Sequence, residues 1–323
     1  MNLSFKRLSI DASDGVIVAK LDGGSLSVLD PELVDELCVF IDAVDTDPEV
    51  SAVVFTGTHA RRFISHADIP MLQAGGSESP SLGRTATSVV ARIASAVANS
   101  AAARRLASHT PLAGAVQLDR FHDALLQMNS SGVVFIAALN GSTLGGGAEF
   151  AWSCDIRVMT DDEDCFIGQP EVLLGFNPGG GGTQRLPRLI GNHRALIAML
   201  QGRPLSPAEA LEVGAVDELA PHDEVLARAV SWARTLGSRP KKAIAAIKRS
   251  VYFGGSMALP AGLHTERAEF LHVLGSDEAQ AIMKAYMQST DTVGELPLYN
   301  SGTYETALST GRLPNATGSN THG

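Results

Sequence analysis

Two short β-branched runs, VIVAKL (Val16–Leu21) and AVVFTG (Ala52–Gly57), are separated by a single amphipathic stretch that opens on Asp30-Pro31. Asp30 offers a side-chain cap and Pro31 a first-turn proline. Leu33, Val34, Leu37, Cys38, Ile41 and Val44 then recur at helical spacing and predict one buried face. Strand, helix, strand in that order requires a crossover that lays the second strand parallel to the first. The chain is therefore predicted to be α/β.

The same pattern continues downstream. A Gly/Ser/Pro patch over 75–80 reads as a loop, and an Ala- and Arg-rich helical segment follows over about 82–108. A second helix, about 118–128, precedes the strand VVFIAAL at 133–139. Next come the glycine-rich turn NGSTLGGGAEF, a helix, and the strand DIRVM at 155–159. Ser206-Pro207-Ala208-Glu209 forms a capping box that opens a short helix, closed by Gly214. Residues 223–288 are almost wholly helical in pattern, with breaks at Arg239-Pro240 and Gly254-Gly255. Beyond Thr290 the composition turns to Gly, Ser, Thr, Asn and Pro. The expected organisation is a core over 1–221 carrying an extended helical insertion at about 73–130, a helical C-terminal region over 222–290, and a loosely ordered tail over 291–323.

With 323 residues, 45% of them hydrophobic, the chain can bury a substantial core. Its net charge of −10 argues against a broad nucleic-acid surface. Three cysteines are too few for a disulfide framework, so a reducing, cytoplasmic setting is expected. The opening MNLSFKRLSI leads to Asp11 and Asp14 without an apolar core, so no secretory signal is expected. The most membrane-like stretch, 88–98, is short and interrupted by Arg92, and no span or membrane partner is predicted.

The glycine runs are the first candidates for chemistry. Gly145-Gly146-Gly147 follows a buried strand and opens a helix, but Phe150 occupies the last position of a dinucleotide fingerprint. Neither that run nor 179–182 leads into Gly-Lys-Ser/Thr, so a phosphate loop is also absent. Two readings stand: backbone N–H groups aimed at an anion, or a tight turn packed against another backbone. Glu149 lies in the first turn of that helix, and Glu171 lies in GQPEVLLG just before an apolar run. A carboxylate beside a core strand is costly unless paired or used, and two of them would divide acid and base roles. Against this stand a dipole-favoured first-turn glutamate and a solvated loop glutamate. Asp68, in FISHADIPML, reads as a helix cap. The histidines show no metal-ligand spacing, so no metal is expected.

Four ordered segments resemble the crotonase (enoyl-CoA hydratase/isomerase) superfamily. They are AVVFTG…RRFISHADIPML (52–72), FIAALNGSTLGGGAEFAWSCDIRV (135–158), FIGQPEVLLGFNPGGGGTQRLPRLIG (166–191) and LQGRPLSPAEALEVGAVDELAP (200–221). The likeness spans about 15–75 and 131–290. It implies a ClpP-like spiral of repeated β-β-α units, with a helical C-terminal region that makes homotrimers or dimers of trimers. It also implies an oxyanion hole built from the N–H groups of Ala67 and Gly146, which would hold the thioester oxygen of an acyl-CoA. Glu149 and Glu171 occupy the family's two catalytic positions. Glu171 would exchange a proton at the α-carbon, and Glu149 would activate the water that adds at the β-carbon. No cofactor is implied beyond coenzyme A, which enters as part of the substrate.

The resemblance has three departures. The oxyanion loop reads His66-Ala67-Asp68 where the family has Gly-Ala-Asp; His66, Asp68 and Gly145 are taken as possible substrate contacts. His66 would be either a polar wall or an extra acid, base or donor. The stretch 73–130 is longer than the family norm, and LDGGSLSVLD lacks the usual Arg-Pro…Asn-Ala pattern near the coenzyme A moiety. The expected activity is hydration of a trans-2-enoyl-CoA to a 3-hydroxyacyl-CoA. The alternatives are isomerisation, hydrolysis or decarboxylation through the same oxyanion hole, or a non-catalytic binding role.

Overall fold

The computed structural model describes residues 4–78 and 81–313. Its strands are β1 (Leu8–Ser13), β2 (Val16–Leu21), β3 (Ala52–Gly57), β4 (Val134–Leu139), β5 (Thr143–Leu144), β6 (Ile156–Thr160), β7 (Ile167–Gly168) and β8 (Glu218–Ala220). The helices before the glycine-rich turn are α1 (Pro31–Thr46), α2 (Ile69–Glu78), α3 (Arg84–Ala98), α4 (Ala101–Ala107) and α5 (Ala113–Met128). Those after it are α6 (Gly146–Ala151), α7 (Gly182–Ile190), α8 (Asn192–Gln201), α9 (Pro207–Val213), α10 (Val225–Gly237), α11 (Lys241–Lys248), α12 (Leu259–Leu274), α13 (Asp277–Val293) and α14 (Ser301–Thr310).

Six strands form one sheet in the order β1-β2-β3-β4-β6-β8, and β5 and β7 form a small second sheet. From β2 to β8 every neighbour in the large sheet is parallel. Only β1 is antiparallel, folded back through Asp14 and Gly15, both at positive φ. The sequence reading missed β1 because LSIDAS is mostly exposed and shows little apolar signal.

The parallel strands alternate between two apolar layers. Val53, Phe55 and Phe135 face α1 and α5, packing with Leu33, Leu37, Ile41 and Leu125. Ala52, Val54, Ile136 and Val158 face the other way, onto Ala229 and Ala233 of α10. Phe150 of α6 enters the first layer, with its ring 4.9 Å from Phe55 at 68°. That edge-on contact ties the short glycine-initiated helix to the sheet.

The expected insertion is helical. Ala94, Ala98 and Ala107 of α3 and α4 form a small cluster with Val116 of α5. The C-terminal helices are anchored by Lys248, whose Nζ donates to Val133 O at 2.8 Å and to Asp155 Oδ2 at 2.7 Å. One expectation is corrected within 291–323. Instead of a loose tail, Ser301–Thr310 form α14, capped by Asn300, which accepts from Thr303 N. Arg239 reaches across to Leu308 O at 2.6 Å, a long-range contact that composition does not reveal. Residues 314–323 lie outside the described residues. Among the described residues no helix is long and apolar enough to cross a membrane.

Candidate active site

Three backbone segments converge at the end of β4. Asn140 fixes the turn there: its Oδ1 accepts from Gly57 N at 2.9 Å and its Nδ2 donates to His59 O at 2.8 Å. The chain then runs as β5 between the 64–66 segment and β7. Leu144 N donates to Ser65 O, and Gly145 N donates to Gly168 O. Gly147 passes so close to the Ile64 carbonyl that a Cβ there would overlap it and lie 2.6 Å from Thr143 Oγ1. Gly145 sits at φ +48°, a region glycine enters freely. Of the two readings of this turn, the tight backbone contact is therefore real. It coexists with the anion-site geometry.

That geometry comes from Ala67 and Gly146. Leu29 and Ala67 form an isolated parallel bridge, in which Leu29 N donates to His66 O and Leu29 O accepts from Asp68 N. In such a bridge the polar groups of the opposite residue, Ala67, point away from Leu29. The Ala67 carbonyl is occupied by His66 Nδ1 at 2.7 Å, which leaves the Ala67 N–H. Gly146 is the first residue of α6, so its N–H has no intrahelical acceptor. Among the described residues neither N–H finds a partner. A Cβ on Gly146 would stand 3.6 Å from Ala67 N, so the two donors are neighbours.

The two glutamates lie beside this pair, both buried, at 2% exposure for Glu149 and 6% for Glu171. Their surroundings differ. Gly180 N donates to both oxygens of Glu149 at 2.8 Å, and Gly182 N donates to Oε1 at 2.7 Å. Burial raises the Glu149 pKa, while those two N–H groups pull it back. Glu171 has less support, a hydrogen bond from its own backbone N–H. Its Oε2 is buried without a partner, and burial pushes its pKa up to about 7, with the Glu149 charge adding to the rise. A Cβ on Gly145 would lie 2.9 Å from Glu171 Oε1 and 3.7 Å from His66 Cβ. Glu171, Gly145 and His66 therefore line one spot.

The structure thus brings together Glu149, Glu171, Ala67, Gly145, Gly146 and His66. His66 Nδ1 is committed to the Ala67 carbonyl, and a carbonyl only accepts, so that nitrogen carries its proton. Asp68 acts as the cap of α2, accepting from Met71 N at 3.2 Å. Several neighbours were not singled out from sequence. Gln169 Nε2 donates to Gly145 O, and His122 Nε2 bonds Gly179 O at 2.8 Å. Arg185, whose pKa burial lowers, donates to Asn129 Oδ1 at 2.7 Å. The helical repeat places His122 and Arg185 on their helices but carries no sign of which loop they meet. The four consecutive glycines 179–182 were a visible signal for a backbone that packs against a carboxylate.

The model of the enoyl-CoA hydratase/isomerase family matches residues 105–293. The chain belongs to the enoyl-CoA hydratase/isomerase family. It is 32% identical over 242 residues to the fatty acid oxidation complex subunit alpha of Shewanella loihica, and 34% identical over 249 residues to that of Idiomarina loihiensis. Each alignment covers 75% of this chain but only 30% of the relative, so the chain spans under a third of their length. Among solved structures, it resembles an enoyl-CoA hydratase of Geobacillus kaustophilus at TM-score 0.71 and 28% identity, over 89% of this chain and 96% of that one. An enoyl-CoA hydratase of Bacillus anthracis, at 24% identity and TM-score 0.69 over 88% and 97%, shares the fold. The crotonase-type α/β fold expected from the four motif segments is the fold observed.

Proposed function

We propose that this family member is an enoyl-CoA hydratase, adding water reversibly to a trans-2-enoyl-CoA to give a 3-hydroxyacyl-CoA. The observation that carries the reading is the asymmetry of the two carboxylates beside a pair of unpartnered N–H groups. Glu149, held by Gly180 N and Gly182 N, is the ionised base. Glu171, with a partnerless Oε2 and a pKa shifted to about 7, carries the proton.

In this mechanism Glu149 takes a proton from water as the water oxygen bonds to the β-carbon. The π electrons move to the thioester oxygen, which Ala67 N–H and Gly146 N–H stabilise as an enolate. One such donor is typically worth about 10²–10³ in rate. Glu171 delivers its proton to the α-carbon, and a proton returns from Glu149 to Glu171 to reset the pair. No metal or redox group is called for, and coenzyme A enters with the substrate.

The relatives named as fatty acid oxidation complex subunits and hydratases support the substrate class. Exposed Leu259, Leu263, Phe270 and Leu271 on α12 support assembly as a trimer or dimer of trimers. Three unpaired cysteines support a cytoplasmic setting. The test is loss of the conjugated enoyl-thioester absorbance with crotonyl-CoA and longer trans-2-enoyl-CoAs. Glu149→Gln and Glu171→Gln should each abolish it. Release of free thiol without loss of conjugation would replace hydration with hydrolysis.

A further inference from the structure

We propose that His122 is a positioning residue for the Glu149 carboxylate, acting through the single peptide unit that joins Gly179 to Gly180. The inference rests on the reading of Glu149 as the base. His122 Nε2 lies 2.8 Å from Gly179 O, and since a carbonyl only accepts, Nε2 is the protonated nitrogen. The other edge of that same peptide is Gly180 N–H, which donates to both Glu149 oxygens at 2.8 Å. In a trans peptide the C=O and N–H point to opposite sides of one plane. A hydrogen bond that fixes the carbonyl therefore aims the N–H. Imidazole, peptide and carboxylate form a line in which each bond polarises the next.

This peptide needs an external hold. It lies in a run of four glycines, 179–182, and a Cβ on Gly179 would meet nothing within 4 Å. Glycine on both sides leaves rotation of the peptide plane nearly unhindered. Pro178 is buried on the N-terminal side, and Gly182 N supplies the other donor to Glu149. Neither grips the Gly179 carbonyl. His122 does so from α5, an element otherwise concerned with packing on α1 and α3. His122 and Arg185 of α7 are the basic side chains near Glu149, and Glu171 is the acidic neighbour whose own titration Glu149 influences.

Turnover of crotonyl-CoA should be compared in the wild-type chain, His122→Ala and His122→Gln, with thermal unfolding of each as a control. The Ala variant removes the donor. The Gln variant keeps an N–H at comparable reach. In His122→Ala, kcat should fall about ten- to a hundred-fold with KM little changed, because a carboxylate misplaced by a fraction of an ångström loses its attack geometry. The acidic limb of its pH–rate profile should move to higher pH, since the Gly180 N–H that favours the charged Glu149 carboxylate is no longer held in line with it. His122→Gln should recover most of kcat and restore the limb. Wild-type kcat and profile in His122→Ala would overturn the proposal, as would a Gln variant no better than Ala. A wild type that does not hydrate crotonyl-CoA or longer enoyl-CoAs would instead overturn the underlying reading, and the two failures are distinguished in the same assay.

Discussion

The amide nitrogen of Ala67 lies 3.6 Å from the point where a Cβ on Gly146 would stand, although the two residues are 79 positions apart. The first is freed by the Leu29 bridge and the second by the start of α6. A methyl group there would meet Leu29 Cδ2 at 3.3 Å, a contact that a flexible side chain relieves. Gly146→Ala should therefore fold and unfold like the wild type, while kcat falls by about 10²-fold as the thioester oxygen is pushed away from its donors.

The neighbouring glycine should behave in the opposite way. A Cβ on Gly147 overlaps the Ile64 carbonyl, which is backbone and cannot swing aside. Gly147→Ala should lose about 1–3 kcal/mol or more in chemical denaturation, before any assay of turnover is informative.

Glu171 should trade stability for activity. Burial raises its pKa from 4.5 in the unfolded chain to about 7 in the folded one, so the folded state prefers the proton. The cost is absent below about pH 4.5, grows as pH rises, and is complete above about 7, where it reaches about 3 kcal/mol. Glu171→Gln removes it. The variant should be inactive yet melt at a higher temperature than wild type at pH 8, with the gap closing at pH 4.5. In the proposed role of acid, Glu171 should also make the wild-type rate fall as pH rises past about 7.

Lys248 holds the C-terminal helices to the sheet. Its side chain is 8% exposed and that of its partner Asp155 is 15% exposed. Among the described residues, Lys248→Met leaves the Asp155 carboxylate with Phe135 N and Tyr252 OH, and leaves the Val133 carbonyl without its Lys248 partner. Removing one member of a buried pair costs about 3–5 kcal/mol. Urea denaturation should show a loss of that size.

The capping box of α9 offers a smaller, local test. Ser206 Oγ accepts from Glu209 N at 3.3 Å, and Glu209 Oε2 accepts from Ser206 N at 2.9 Å. Ser206→Ala should cost about 1 kcal/mol of stability and leave turnover untouched.

Much of the fold was legible in local pattern. The Asp30 cap, the buried face of α1, the parallel strands β2, β3, β4 and β6, and the capping box all follow from spacing and residue type, because each carries its own local signal even where, as in the strands, its partners lie far along the chain. Two elements, β1 and α14, carry little apolar pattern of their own. LSIDAS of β1 is recruited by its hairpin with β2 rather than by its own composition, and α14 is held by contacts such as Arg239 to Leu308 O, 69 positions away.

The site divides along the same line. Sequence by itself determined that a glycine turn follows β4, that Glu149 lies in the first turn of a helix, and that Glu171 precedes an apolar run. Motif resemblance then paired them with Ala67 and Gly146. Tertiary structure alone decided the surroundings of each group. It put Glu149 against Gly180 N and Gly182 N, left Glu171 Oε2 without a partner, and turned His66 Nδ1 onto the Ala67 carbonyl. It also delivered His122 to the peptide behind Glu149. Residue type sets which groups can ionise or donate. Desolvation and the direction of a backbone N–H exist only once distant segments have packed, and here they give two chemically identical carboxylates different surroundings, one bonded by two N–H groups and one with a partnerless oxygen.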